Sequence, residues 1–66
     1  MKRFFFEIDS VGMIRHYTTL TSCKRGAKSQ IKRFMNNCTR TTADLYELDA
    51  DGNRHYIGEI TEDDIL

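Results

Sequence analysis

Residues 21–37, TSCKRGAKSQIKRFMNN, limit what this chain can fold into more than any other stretch. Cys23, Ala27, Ile31 and Phe34 follow one another at steps of four, four and three, with Cys38 one turn further on. Those steps stack them on one face of a 3.6-residue helix. Lys24, Arg25, Lys28, Lys32 and Arg33 spread over the other side, so the helix would turn a greasy stripe inward and a basic surface outward. Two strand-like stretches lie before it and two after it. One helix between two pairs of strands predicts an α+β fold, β-β-α-β-β, with an antiparallel sheet and the helix packed on one face.

The flanking stretches carry the period of two that strands need. In residues 3–9, Phe4, Phe6 and Ile8 share one face while Phe5, Glu7 and Asp9 share the other. Ser10-Val11-Gly12 supplies a turn, and residues 13–20 follow as a second strand rich in β-branched and aromatic side chains. Tyr17 is expected on the same side as Phe5. Residues 43–49 and 54–60 form a second hairpin across Asp51-Gly52, a strong local turn signal. A two-residue turn pairs Tyr46 with Ile57. A three-residue loop with a glycine bulge pairs Tyr46 with Tyr56 and Leu45 with Ile57. Both registers fit the sequence. Residues 61–66, TEDDIL, read as a frayed acidic tail unless Ile65 and Leu66 dock on something.

The helix start breaks local rules. Thr21 or Ser22 is suited to cap it, yet Lys24 and Arg25 stand in the first turn, where cations oppose the helix dipole. Gly26 adds a helix penalty of about 1 kcal/mol relative to alanine. Either those residues serve a partner, or the helix begins a turn later near Lys28 and residues 23–27 are loop. Asn36-Asn37 suits the helix end, and residues 39–42 form a polar connector with Arg40 exposed.

Length and charge narrow the function classes. A chain of 66 residues is a single domain, 1–66, with one thin core and no room for an enclosed site around an organic cofactor. None is expected. The net charge of zero hides a polarity along the chain. Residues 1–43 hold nine Lys/Arg against Glu7 and Asp9, a net of +7, and residues 44–66 hold Arg54 against eight acids, a net of −7. Such polarity speaks of partners or self-association rather than of fold. No membrane span is present, and Glu7 and Asp9 break the apolar start too early for a signal peptide, so the reading is cytoplasmic.

No catalytic motif emerges, and the chain reads as a non-catalytic binding protein. His16, His55, Cys23 and Cys38 lack the close pairing of a zinc site, and 49-DADGN-53 lacks the calcium-loop spacing. A continuous helix would hold Cys23 and Cys38 about 22 Å apart, too far for a disulfide. The basic helix carries the main functional expectation. Thr21, Ser22, Lys24, Arg25, Lys28, Lys32, Arg33 and Arg40 form a candidate surface for nucleic-acid phosphates or another anion, with Gly26 allowing close approach. The alternative is an inhibitor or adaptor that binds a protein without touching nucleic acid, through the sheet's open face or the acidic second hairpin, with Phe5, Tyr17, Tyr46 and Tyr56 as candidate interface residues and Phe5 and Tyr17 also suited to a second copy.

In outline this arrangement resembles the very small proteins carried by phages and mobile elements, some anti-CRISPR proteins among them. The matching features are the hairpin of residues 3–20, the helix opened by Thr21-Ser22 and the second hairpin with Asp51-Gly52. The resemblance implies a stoichiometric inhibitor that blocks a nucleic-acid site or mimics its charge, acting on a nucleic acid or nucleoprotein complex. The acids Asp44, Glu47, Asp49, Asp51 and Glu59 are too few to mimic nucleic acid alone.

Overall fold

The computed structural model describes residues 3–34 and 41–65. Four strands, β1 (Arg3–Ile8), β2 (Met13–Tyr17), β3 (Ala43–Leu48) and β4 (Arg54–Ile60), form one antiparallel sheet in the order β2-β1-β3-β4. A single helix, α1 (Leu20–Phe34), lies between β2 and β3 in the chain. The element order is the β-β-α-β-β read from the sequence. Each hairpin contributes one central strand and one edge strand, and α1 packs against all four.

The core forms where the helix stripe meets one sheet face. Phe6, Ile8, Ala43, Leu45 and Ile60 point to Cys23, Ala27 and Ile31, and all are buried. Phe4, Met13, Tyr17 and Ile65 pack around that cluster. Phe34, expected on the same stripe, is half-buried; Cys38 lies outside the described residues. Burial pushes the Cys23 thiol up from its ordinary range, which leaves it a small apolar filler.

Two strand ends differ from the sequence reading. β2 stops at Tyr17 instead of running to residue 20, because Thr19 is used to cap the helix. The acidic tail is built rather than frayed. Residues Glu62–Asp64 make a 3-10 turn, the Asp64 carboxylate accepts from the Thr61 backbone N–H at 2.8 Å, and Ile65 reaches the core. The Glu62 carboxylate accepts the Thr41 N–H at 3.1 Å, tying this turn to the entry of β3. Leu66 lies outside the described residues.

The turns explain the register. Gly12 closes the first hairpin at φ 65°, a left-handed conformation that a Cβ would strain. In the second hairpin the three-residue loop wins, with Gly52 at φ 85° and the Asp49 N–H bonded to the Asn53 carbonyl. Asp49 holds this loop. Its Oδ1 accepts from the backbone N–H groups of Asp51 and Asn53, both at 2.9 Å, and its Oδ2 lies 2.7 Å from His55 Nε2. Tyr46 then pairs with Tyr56, as that loop requires, but Leu45 pairs with Gly58 because Ile57 is left without a partner on β3. This second bulge fits neither register drawn from the sequence.

Gly26 proves to be a packing device. A Cβ built on it would lie inside contact distance of the Tyr17 hydroxyl and 2.6 Å from the ring carbon that bears it. Tyr17 pairs with Phe4 across the hairpin and stacks on Phe6 with ring centroids 6.0 Å apart. Its ring therefore sits under the helix, not beside Phe5. Gly26→Ala should destabilise the protein by about 1 kcal/mol in urea unfolding, the displaced ring outweighing the helix gain. In a Tyr17→Ala background the same change should stabilise by about 1 kcal/mol. An equal effect in both backgrounds would refute the contact.

The Asp49 carboxylate is held below the ordinary carboxylate range, first by the His55 bond and then by the Asn53 and Asp51 N–H groups. A lowered folded-state pKa gives a contribution that is present above the unfolded value and lost as pH falls through the folded one. An NMR titration should find Asp49 among the last carboxylates to protonate on acidification, and His55→Ala should return it toward the ordinary range. An unmoved titration in that variant would refute the assignment.

Candidate nucleic-acid interface

Thr19 caps the helix, in place of the expected Thr21 or Ser22. Its Oγ1 accepts the Ser22 backbone N–H at 3.2 Å, its hydroxyl donates to Ser22 Oγ at 2.8 Å, and its carbonyl accepts the Cys23 N–H at 3.1 Å. The helix thus runs from Leu20, and residues 23–27 are helical rather than loop. Ser22 is engaged in this cap. Thr21 is exposed in the first turn, where it lines a shallow hollow with Lys24, Arg25 and Lys28.

Lys24, Arg25, Lys28, Lys32 and Arg33 are all exposed, and α1 contains no acidic residue. At 100° per residue, Thr21, Lys24, Lys28, Lys32 and Arg25 fall within a stripe about 100° wide, and Arg33 stands about 80° beyond it. Lys24, Lys28 and Lys32 recur every ~6 Å along the axis. Lys32 and Arg33 also lie in the last turn, where cations favour the negative end of the helix dipole. Arg40 lies outside the described residues.

The stripe borders the acidic half of the chain on one flank. Lys24 and Lys28 share a hollow of about 290 Å³ with Glu59 of β4 and Asp64 of the C-terminal turn, over a floor of Leu45, Ile57 and Ile60. Arg25, Lys32 and Arg33 are not among the groups lining that hollow.

The open sheet face is a second assembly, ordered in rows. Strand alternation and register put His16, Phe5, Tyr46 and Tyr56 side by side across all four strands. Their rings are in contact: Phe5–His16 centroids are 5.1 Å apart, Phe5–Tyr46 4.9 Å and Tyr46–Tyr56 5.6 Å. Two residues along the strands, Glu7, Asp44 and Glu59 form an acidic row with Ile14 at its end. Two residues the other way, Arg3, Leu48 and Arg54 form a row with two cations.

Of the four aromatic candidates, Phe5, Tyr46 and Tyr56 therefore meet, and Tyr17 is on the helix side. Phe5 is only 5% exposed, roofed by its ring neighbours, whereas Tyr56 is 59% exposed. Arg54 lies 5.2 Å above the Tyr46 ring and extends to within 4.0 Å of Glu7. Partial removal from water, then the Glu59 and Asp44 charges, push the Tyr56 hydroxyl above its ordinary range. Nothing local in the sequence puts His16, Arg3, Arg54 and the acids Glu7, Asp44 and Glu59 on this face; the strand register brings them together.

Among the described residues no group of three or more His, Cys, Asp and Glu is placed to hold a metal ion, and no helix is long and apolar enough to cross a membrane. Comparison with known proteins found no matching family model, no matching curated protein and no matching solved structure.

The cap assignment makes a sharp contrast. Thr19→Ala should cost about 1 kcal/mol of stability in chemical denaturation, while Thr21→Ala should cost less than about 0.5 kcal/mol. Equal losses at the two positions would contradict it.

Proposed function

We propose that this protein is a non-catalytic binding protein that docks on the phosphate backbone of a nucleic acid, free or in a nucleoprotein complex, through the outer surface of α1. The observation that carries the reading is the exposure of Lys24, Arg25, Lys28, Lys32 and Arg33 on one 15-residue helix that contains no acid. Acids interspersed at i+4 would have marked a solvated, salt-bridged face. Their absence leaves a one-sign field, which attracts phosphates and releases their counterions.

Such a surface reads charge and spacing, not base sequence. It suits a protein that acts by occupying a site in stoichiometric amounts, as the small phage-type inhibitors do. Gly26 does not belong to this surface, since its open side is filled by Tyr17. Thr21 does, through the hollow that it shares with Lys24, Arg25 and Lys28.

Fluorescence anisotropy with a labelled oligonucleotide tests the proposal. Engagement of three phosphates predicts that affinity falls about 40-fold between 50 and 200 mM salt. Lys28→Glu/Lys32→Glu should weaken binding at least about tenfold, whereas Arg15→Glu on β2 should change it less than about threefold. No binding at low salt, or equal losses in both variants, would refute it.

A further inference from the structure

We propose that the open face of the sheet is a self-association surface whose partner is a second copy of this chain, related by a two-fold axis running along the aromatic row. The three rows of the face are arranged for this pairing. Rotation about an axis parallel to that row leaves His16, Phe5, Tyr46 and Tyr56 facing their own counterparts. It reverses the strand direction, so the acidic row of one copy lies over the Arg3–Arg54 row of the other. Glu7 then meets Arg3 and Glu59 meets Arg54, twice over as an isologous interface demands, while Asp44 lies over Leu48. A two-fold axis along the strands would set like rows together and is disfavoured.

The face has the composition of an interface. Tyr56 is 59% exposed and Ile14 48%, at opposite edges of the same face, with ring-stacked aromatic residues between them. Tyrosine and arginine at the centre of a face, with charge toward its margins, are the usual makings of a binding hot spot. The acidic row gives a second reason. Glu7, Asp44 and Glu59 stand directly opposite one another across three strands, an arrangement that costs stability unless positive charge is brought to it. Arg54 approaches Glu7 alone, at 4.0 Å. Arg3 and Arg54 of a second copy would bring two more guanidinium groups to the row. A nucleic acid fits this face poorly, since the same three carboxylates would repel its phosphates.

Size sets the strength. Four strands spaced ~4.8 Å apart and three rows of side chains give a face of about 400 Å² per copy, roughly half that of a standard interface. An interface of that size is of the weak, transient class. Each copy turns its helix outward in this arrangement, away from its partner.

Sedimentation equilibrium from about 10 µM to 2 mM protein tests this, with circular dichroism to verify folding. The native chain should pass from monomer to dimer within that range. Arg3→Glu/Arg54→Glu makes both outer rows acidic, and Glu7→Lys/Glu59→Lys makes both mainly basic. Each variant should remain monomeric at 1 mM, and an equimolar mixture of the two should dimerise at least as tightly as the native chain. Tyr56→Lys, a change at a mostly exposed position, should weaken the native dimer at least about tenfold and stands in if a row variant does not fold. A native chain that is monomeric at 2 mM overturns the proposal. So does a dimer indifferent to Tyr56→Lys, or a mixture of folded row variants that stays monomeric. A monomer whose Tyr46 and Tyr56 resonances move on adding single-stranded oligonucleotide would assign the face to nucleic acid instead.

Discussion

Ile57 has no partner on β3, and that single unpaired residue allows β4 to serve both faces of the sheet. In an unbroken strand Tyr56, Gly58 and Ile60 would share one side. The bulge shifts the alternation by one, so Tyr56 joins the aromatic row while Ile60 enters the core at 5% exposure. Without that shift the sheet would lose either its core side chain at the edge or the last ring of its open face. The bulge also unsettles an edge strand that would otherwise present a regular ladder for unwanted pairing. Ile57 itself, 43% exposed, borders the hollow beneath Lys24 and Lys28.

From this register follows the way charge is sorted in space. The chain's +7 and −7 halves do not simply cancel across a single contact. The positive half concentrates on the outer side of α1. The negative half is divided between the second hairpin, its loop and the C-terminal turn. Lys24 and Lys28 border a hollow between α1 and β4 that Glu59 and Asp64 also line. The remaining helix cations and the three rows of the open face point in opposite directions. Two surfaces of different chemistry thus share one thin core. A self-associated pair would present two basic helices on opposite outsides, which suits gripping two phosphate tracks at once.

Much of this was legible in the residue pattern, for identifiable reasons. The helix stripe of Cys23, Ala27 and Ile31 and the strand face of Phe6 and Ile8 show up as simple periods, and the core is where they meet. The Asp51-Gly52 loop announces its own turn. What escaped was set by long-range packing. Thr19 looks like a strand residue until its hydroxyl is seen to accept the Ser22 N–H. Gly26 looks like a functional weakness in the helix until Tyr17 is found beneath it. Tyr17 looks like a companion of Phe5 although partners across this hairpin differ by an odd number in sequence position. Phe5 pairs with His16 and Tyr17 with Phe4, so counting from the turn assigns the two rings to opposite faces. The Ile57 bulge has no local signal, and with it the acidic and basic rows of the open face were invisible.

In the proposed picture the helix and the open sheet face work as separate surfaces. Amide NMR spectra recorded along two axes, oligonucleotide added at low protein concentration and protein concentration raised alone, test it most directly. Oligonucleotide should move the resonances of Thr21 to Arg33 and leave those of Phe5, His16, Tyr46 and Tyr56 in place. Raising the protein concentration should do the reverse. If both treatments move the same residues, or if oligonucleotide moves the sheet and not the helix, the division into two surfaces is wrong.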